Sequence, residues 1–126
     1  VQGIAGDLYS LGYFGYAYYK ENQDKLSVVA IDGGTGAISP SETTINDGTY
    51  SPLSRPVFIY ARLSALEDPI TEKFVHFYLD QAEKLASEVG YIPMPQTVYR
   101  AAHDRVSNRI TGSAYLTGST LQPLTQ

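Results

Sequence analysis

Two histidines, His76 and His103, and one glycine-rich run, Gly33-Gly34-Thr35-Gly36, are the residues of this chain whose types could do chemistry. Imidazole serves as a general base or a metal ligand, and a zinc-type pair on one helix face needs a second histidine four residues on. Neither histidine is read as having a partner carboxylate or a second histidine at that spacing, so both read as solvated residues of polar helix faces and no metal site is expected. The glycine run invites a phosphate cradle, because glycines let backbone amides approach an anion and a helix start adds partial positive charge. The Walker pattern also requires Gly-Lys followed by Ser or Thr, and no lysine stands here; the dinucleotide fingerprint fails on spacing. The run therefore reads as an ordinary loop. Glu67-Asp68 reads as a helix start, Glu83 and Glu88 lie along one exposed helix, and Asp7, Asp24 and Asp32 fall at turns. There is no Gly-x-Ser-x-Gly elbow and no Ser, His, Asp set at recognised spacing. The sequence offers no catalytic residue, and neither an enzymatic activity nor a cofactor is expected.

The elements that must position these residues alternate in the α/β manner. Leu11 to Phe14 reads as a short strand, Gly15 to Asn22 as a helix of about two turns, and Lys25 to Ile31 as a second strand. The tetrad Ser39-Pro40-Ser41-Glu42 reads as a capping box, Ser39 and Glu42 serving each other, before a helix that Asp47-Gly48 ends in the left-handed manner glycine permits. Pro52 and Pro56 fix φ and remove amide donors, so ladder pairing is delayed to Val57, where Val57 to Ala61 reads as a strand buried on both faces. Asp68-Pro69 caps and starts an amphipathic helix. Its apolar stripe is Ile70, Phe74, Tyr78, Ala82, Leu85 and Val89, widened by Val75, Phe77 and Ala86, and the helix is expected to pack on a sheet and to stop at Gly90. Tyr91 to Pro95 is extended, because a residue before proline is pushed out of the α region. A last helix from Pro95 to Arg109 puts Val98, Ala102 and Val106 on its apolar side, and the tail from Thr111 reads as loose.

Composition sets outer bounds. A chain of 126 residues, 43% hydrophobic, with net charge -4, is in the ordinary globular range. Its nine basic residues are scattered, which argues against a nucleic-acid or membrane-surface partner. The absence of cysteine excludes disulfides and thiolate metal sites. Tyrosine is abundant, eleven against four Phe and no Trp, with a cluster from Tyr9 to Tyr19 that reads as half-buried surface and, in the sharper reading, as a binding face. Three strands make a thin sheet for so many amphipathic faces, and each half of the chain is small for a core of its own.

Longer strings of residues carry a resemblance. Leu11-Gly-Tyr-Phe-Gly-Tyr-Ala-Tyr-Tyr-Lys-Glu-Asn22, Val28-Val-Ala-Ile-Asp-Gly33, Ser39-Pro-Ser-Glu-Thr43, Asp47-Gly-Thr-Tyr50 and Pro52-Leu-Ser-Arg-Pro-Val-Phe-Ile-Tyr60 resemble periplasmic phosphate-binding proteins of the PstS type. Phe74-Val-His-Phe-Tyr-Leu79 and Val89-Gly-Tyr-Ile-Pro-Met-Pro95 continue the match, and Thr111-Gly-Ser113 is similar to a tail found in the cyanobacterial branch. The resemblance implies an α/β fold, part of the type II periplasmic-binding-protein fold, and places this chain in the C-terminal part of a two-lobe protein. Residues 1–50 would belong to the second lobe, 51–56 would be a hinge crossover, 57–110 would return to the first lobe, and 111–126 would be the loose tail. Family phosphate ligands come from loops that do not map onto this sequence, so no ligand-binding residue is carried over. Ser54 and Arg55 read as a capped loop entering a strand, or as a hinge or cleft rim. The resemblance further implies an exported, periplasmic or extracytoplasmic protein that captures inorganic phosphate and delivers it to the membrane subunits of an ABC importer. Its other partner would be the N-terminal part of its parent, or a second copy of itself.

Overall fold

Helix signals outnumber workable strand pairs in this chain, and the computed structural model, which describes residues 1–117 and 120–121, follows them. The order is α1 (Gln2–Ala5), α2 (Tyr16–Lys20), β1 (Ile31–Asp32), β2 (Ala37–Ile38), α3 (Glu42–Asn46), a 3-10 turn (Leu63–Glu67), α4 (Pro69–Glu88), α5 (Gln96–Ser107), β3 (Leu116–Thr117) and β4 (Thr120–Leu121). The two sheets are antiparallel hairpins of two strands each, with Ile31 opposite Ile38 and Leu116 opposite Leu121. Backbone contacts divide the chain into two compact units, Val1–Ser54 with Ala86–Ile92, and Arg55–Leu85 with Pro93 onward.

The first unit is built from short pieces joined by side-chain caps. Ser41, not Ser39, caps α3: its hydroxyl accepts from the Thr44 amide at 3.1 Å, and Thr44 Oγ1 accepts from the Ser41 amide at 2.9 Å. The box thus lies two residues later than expected, with threonine where glutamate was read. Beyond α3 the chain turns at Gly48, φ +77°, while Asp47 accepts from the Thr49 amide and hydroxyl. Lys20 on α2 and Glu42 on α3 form an exposed ion pair. Gly90 ends the α4 region with φ +80°, and a Cβ there would meet that of Ala17 at 3.0 Å. Leu11 to Phe14 forms no strand, and of Lys25 to Ile31 only Ile31 joins a ladder. Tyr9 and Tyr13 are 93% and 99% exposed, so this end of the tyrosine cluster is open surface rather than half-buried.

The second unit holds the only described side chains that are buried, Leu66, Val75 and Leu79, against which Ala102 and Val106 pack. Asp68 starts α4 as its sequence requires, accepting from the Ile70 amide and from the Thr71 amide and hydroxyl. The helix does not bury the stripe its periodicity marks. Ile70, Phe74, Tyr78, Leu85 and Val89 are exposed, and the buried line through Val75 and Leu79 lies roughly a quarter turn round the axis from the stripe's centre. Apolar residues occupy much of the circumference of α4, and among the described residues it packs on α5 rather than on a sheet. Val57 to Ala61 is likewise no buried strand: Val57 and Tyr60 are 81% and 92% exposed and the run joins no ladder among the described residues, for an apolar run becomes a strand only where another backbone meets its amides. Phe58 alone turns inward, its ring edge-on to Tyr115 at 5.4 Å, where burial raises the Tyr115 phenol above its ordinary pKa.

Leu79→Ala should cost about 2–5 kcal/mol in a urea titration, by lost transfer and cavity terms. Ile70→Ala, at a site 78% exposed, should change stability by less than about 0.5 kcal/mol. A greater loss at Ile70 than at Leu79 would mean that the stripe, and not the Leu79 line, carries the packing.

Candidate functional site

Arg109 gathers three elements of the second unit. Its Nη1 donates to Glu72 Oε1 at 2.8 Å and to the Val106 carbonyl at 2.9 Å, and its Nη2 donates to the Leu66 carbonyl at 3.0 Å. One fork of donors so joins the end of the 3-10 turn, the first turns of α4 and the last turn of α5. Its backbone sits at φ +54°, a left-handed conformation uncommon outside glycine, which the side-chain contacts hold. The hydrogen bond from Arg109 holds the Glu72 carboxyl below its ordinary pKa, and the same bond raises that of the guanidinium. Nearby, Arg105 Nη2 donates to the carbonyls of Thr111 and Gly112 at 3.1 and 2.8 Å, fixing the start of the Thr111-Gly-Ser113 string.

The histidines, read from sequence as separate solvated residues, are in contact. His76 on α4 and His103 on α5 approach Nδ1 to Nδ1 at 2.7 Å with their ring planes 11° apart, and His103 Nε2 lies 3.0 Å from Asp80 Oδ1. The sequence carried one overlooked signal: Asp80 stands four residues after His76 and so on a neighbouring part of the same face. A shallow hollow of about 150 Å³ opens beside His103, lined in part by Asp80, Glu83, Gln96, Tyr99 and Arg100, with Glu83 accepting from the Gln96 amide group. Among the described residues no group of three His, Cys, Asp or Glu is placed to hold a metal ion. Carboxylate, imidazole and imidazole in series can hold and share protons.

The remaining candidates lie elsewhere. Gly33 to Gly36 is the turn of the β1–β2 hairpin, not a strand-to-helix loop, and Asp32 Oδ1 accepts from the Gly34 and Gly36 amides at 2.8 and 3.0 Å. The amides an anion would need are already satisfied by a carboxylate, whose pKa they depress. A Cβ on Gly33 would sit 2.4 Å from the Ser51 carbonyl oxygen, so close backbone approach accounts for glycine there. Ser54 donates its amide to the Tyr50 carbonyl at 2.9 Å and is half-buried, Arg55 is exposed, and the two compact units divide between them.

No family model matches the chain, but whole sequences do. Protein SphX of Synechococcus elongatus is 40% identical over 98% of this chain and 38% of its own length, and protein SphX of Synechocystis is 47% identical over 79% and 30%. The phosphate-binding protein PstS of Staphylococcus epidermidis is 37% identical over 82% of the chain and 32% of its own. A crystal structure described as a possible phosphate binding protein from Planctomyces limnophilus superposes with TM-score 0.72 at 38% identity, over 87% of this chain and 40% of that one. The chain belongs to the PstS-type family of phosphate-binding proteins. Its fold is accordingly part of the α/β type II periplasmic-binding-protein fold. It spans about 30–38% of the length of these curated PstS and SphX relatives. Among its described residues no helix is long and apolar enough to cross a membrane.

In this PstS-type chain the Arg109–Glu72 bond should govern acid stability. Glu72 has a depressed folded pKa, so its contribution is present above the ordinary carboxyl value and is lost as pH falls through the folded one. Arg109→Gln should lower the melting temperature at neutral pH, and the gap to wild type should narrow as the pH approaches about 3. A gap that is the same at both pH values in thermal scans would rule out the ion pair as its source.

Proposed function

We propose that this chain is the C-terminal part of an extracytoplasmic protein that binds inorganic phosphate and delivers it to an ABC importer, contributing lobe packing and hinge rather than ligand loops. The match to the SphX and PstS relatives over most of the chain is the observation that carries this reading. The satisfied amides of the Gly33–Gly36 turn support the second half of it, because no open anion cradle stands there. Ser54 and Arg55, at the division between the two compact units, are proposed as hinge residues. A binding role without catalysis fits the phosphate-binding relatives. The alternative ligand is another oxyanion, with selectivity residing in the ligand loops.

Calorimetry of the 126-residue chain with inorganic phosphate should detect no binding tighter than about 1 mM. The same chain joined to the upstream remainder of a SphX relative should bind phosphate. Tight binding by the chain alone would overturn the assignment of the ligand loops, and failure of the joined protein to bind phosphate would overturn the phosphate reading itself.

A second reading is favoured by the exposure of Leu8, Tyr9 and Tyr13 in the first unit and, separately, of Val57 and Tyr60 in the second, apolar side chains suited to self-association. Sedimentation should then give a dimer or larger species; a compact monomer would exclude it.

A further inference from the structure

We infer that His76 and His103 form a one-proton latch between α4 and α5, closed with at most one shared positive charge and opened when both rings are protonated. At an Nδ1 to Nδ1 distance of 2.7 Å one nitrogen must donate and the other accept. The direction follows from the far side of His103. Its Nε2 faces Asp80 Oδ1 at 3.0 Å, and an ionised carboxylate only accepts, so Nε2 carries hydrogen. In the neutral pair His103 Nδ1 is then the bare acceptor, His76 donates its Nδ1–H, and His76 Nε2 is bare. A first added proton goes to His76 Nε2, giving an imidazolium whose Nδ1–H still donates to His103. A second would have to sit on His103 Nδ1, hydrogen facing hydrogen, and the contact must break.

Charged and titratable groups face the pair from both helices. On α4, Asp80 pairs with His103 and the Glu72 carboxylate interacts with His76, while Lys73 precedes His76 by one turn and Glu83 lines the hollow beside His103. On α5, Tyr99 and Arg100 line the same hollow and Asp104 follows His103. Arg109, after α5, pairs with Glu72. The rings meet edge to edge, nearly coplanar at an interplanar angle of 11° with centroids 5.0 Å apart, and their neighbours in sequence, Val75 and Ala102, belong to the packed line with Leu79 and Val106, so parting them loosens α5 from α4.

Proton counting gives the consequence. As pH falls through about 8 to 5, where imidazoles titrate, the unfolded chain takes up two protons and the latched chain one. Stability rises with pH wherever the unfolded state binds more protons, so the latched state loses stability on acidification. The window lies above that of Glu72, Asp68, Asp47 and Asp32, whose carboxyls are all held below their ordinary values.

Thermal unfolding of the 126-residue chain between about pH 7.5 and pH 5 should show a falling melting temperature. In His76→Gln and in His103→Gln most of that fall should vanish, because folded and unfolded chains then bind equal numbers of protons. Long-range proton–nitrogen spectra of the wild type at the upper pH should place hydrogen on Nδ1 of His76 and on Nε2 of His103. Equal pH slopes in wild type and both variants would overturn the latch. So would two rings that share one tautomer mixture and titrate independently, a result readable on the wild type even if a variant does not fold.

Discussion

One guanidinium sets the geometry on which the second unit depends. Arg109 donates to the Leu66 and Val106 carbonyls and to Glu72, and those partners belong to the 3-10 turn, α5 and α4. With these ends held, Leu66, Val75 and Leu79 meet Ala102 and Val106. The small core explains why polar contacts carry weight: with three buried apolar side chains among the described residues, hydrophobic burial alone supplies little margin over chain entropy. The same approach of α5 to α4 brings His103 to His76. Packing, ion pair and imidazole contact are consequences of one helix pairing.

The first unit follows a different logic. It has no buried described side chain and is organised by caps, turns and close backbone approach: Ser41 on α3, Asp47 at its end, Asp32 inside the hairpin turn, Gly33 against Ser51. Such devices are local and fix a path for the chain, but bury little area. The chain spans about 30–38% of the length of its SphX and PstS relatives, and much of the apolar surface of α4 is exposed, from Ile70 and Phe74 to Leu85.

Where sequence reasoning succeeded, the physics was short-range. Asp68-Pro69 begins α4 because a carboxylate reaches amides two and three residues on, and Gly48 and Gly90 turn the chain because only glycine takes positive φ without a Cβ clash. The apolar side of α5, through Ala102 and Val106, was legible because one narrow stripe left no choice. For α4 the periodicity located the helix and misplaced its buried line, since a helix apolar round much of its girth does not say which side a neighbour covers. The strands at Leu11 to Phe14, Lys25 to Ile31 and Val57 to Ala61 were misread for a related reason: residue type marks a segment that suits a ladder, while the ladder needs a second backbone.

The sequence by itself determined α4 and α5, the Asp68 cap, the glycine turns at Gly48 and Gly90 and the family, because each is written in residues close together or in strings long enough to be specific. Tertiary structure alone decided which face of α4 is buried, that Asp32 fills its own turn, and that two histidines 27 residues apart share a hydrogen bond. The reason is physical. A hydrogen bond between side chains depends on distance in space to within a few tenths of an ångström, and separation along the chain fixes that distance only within a turn or two of helix.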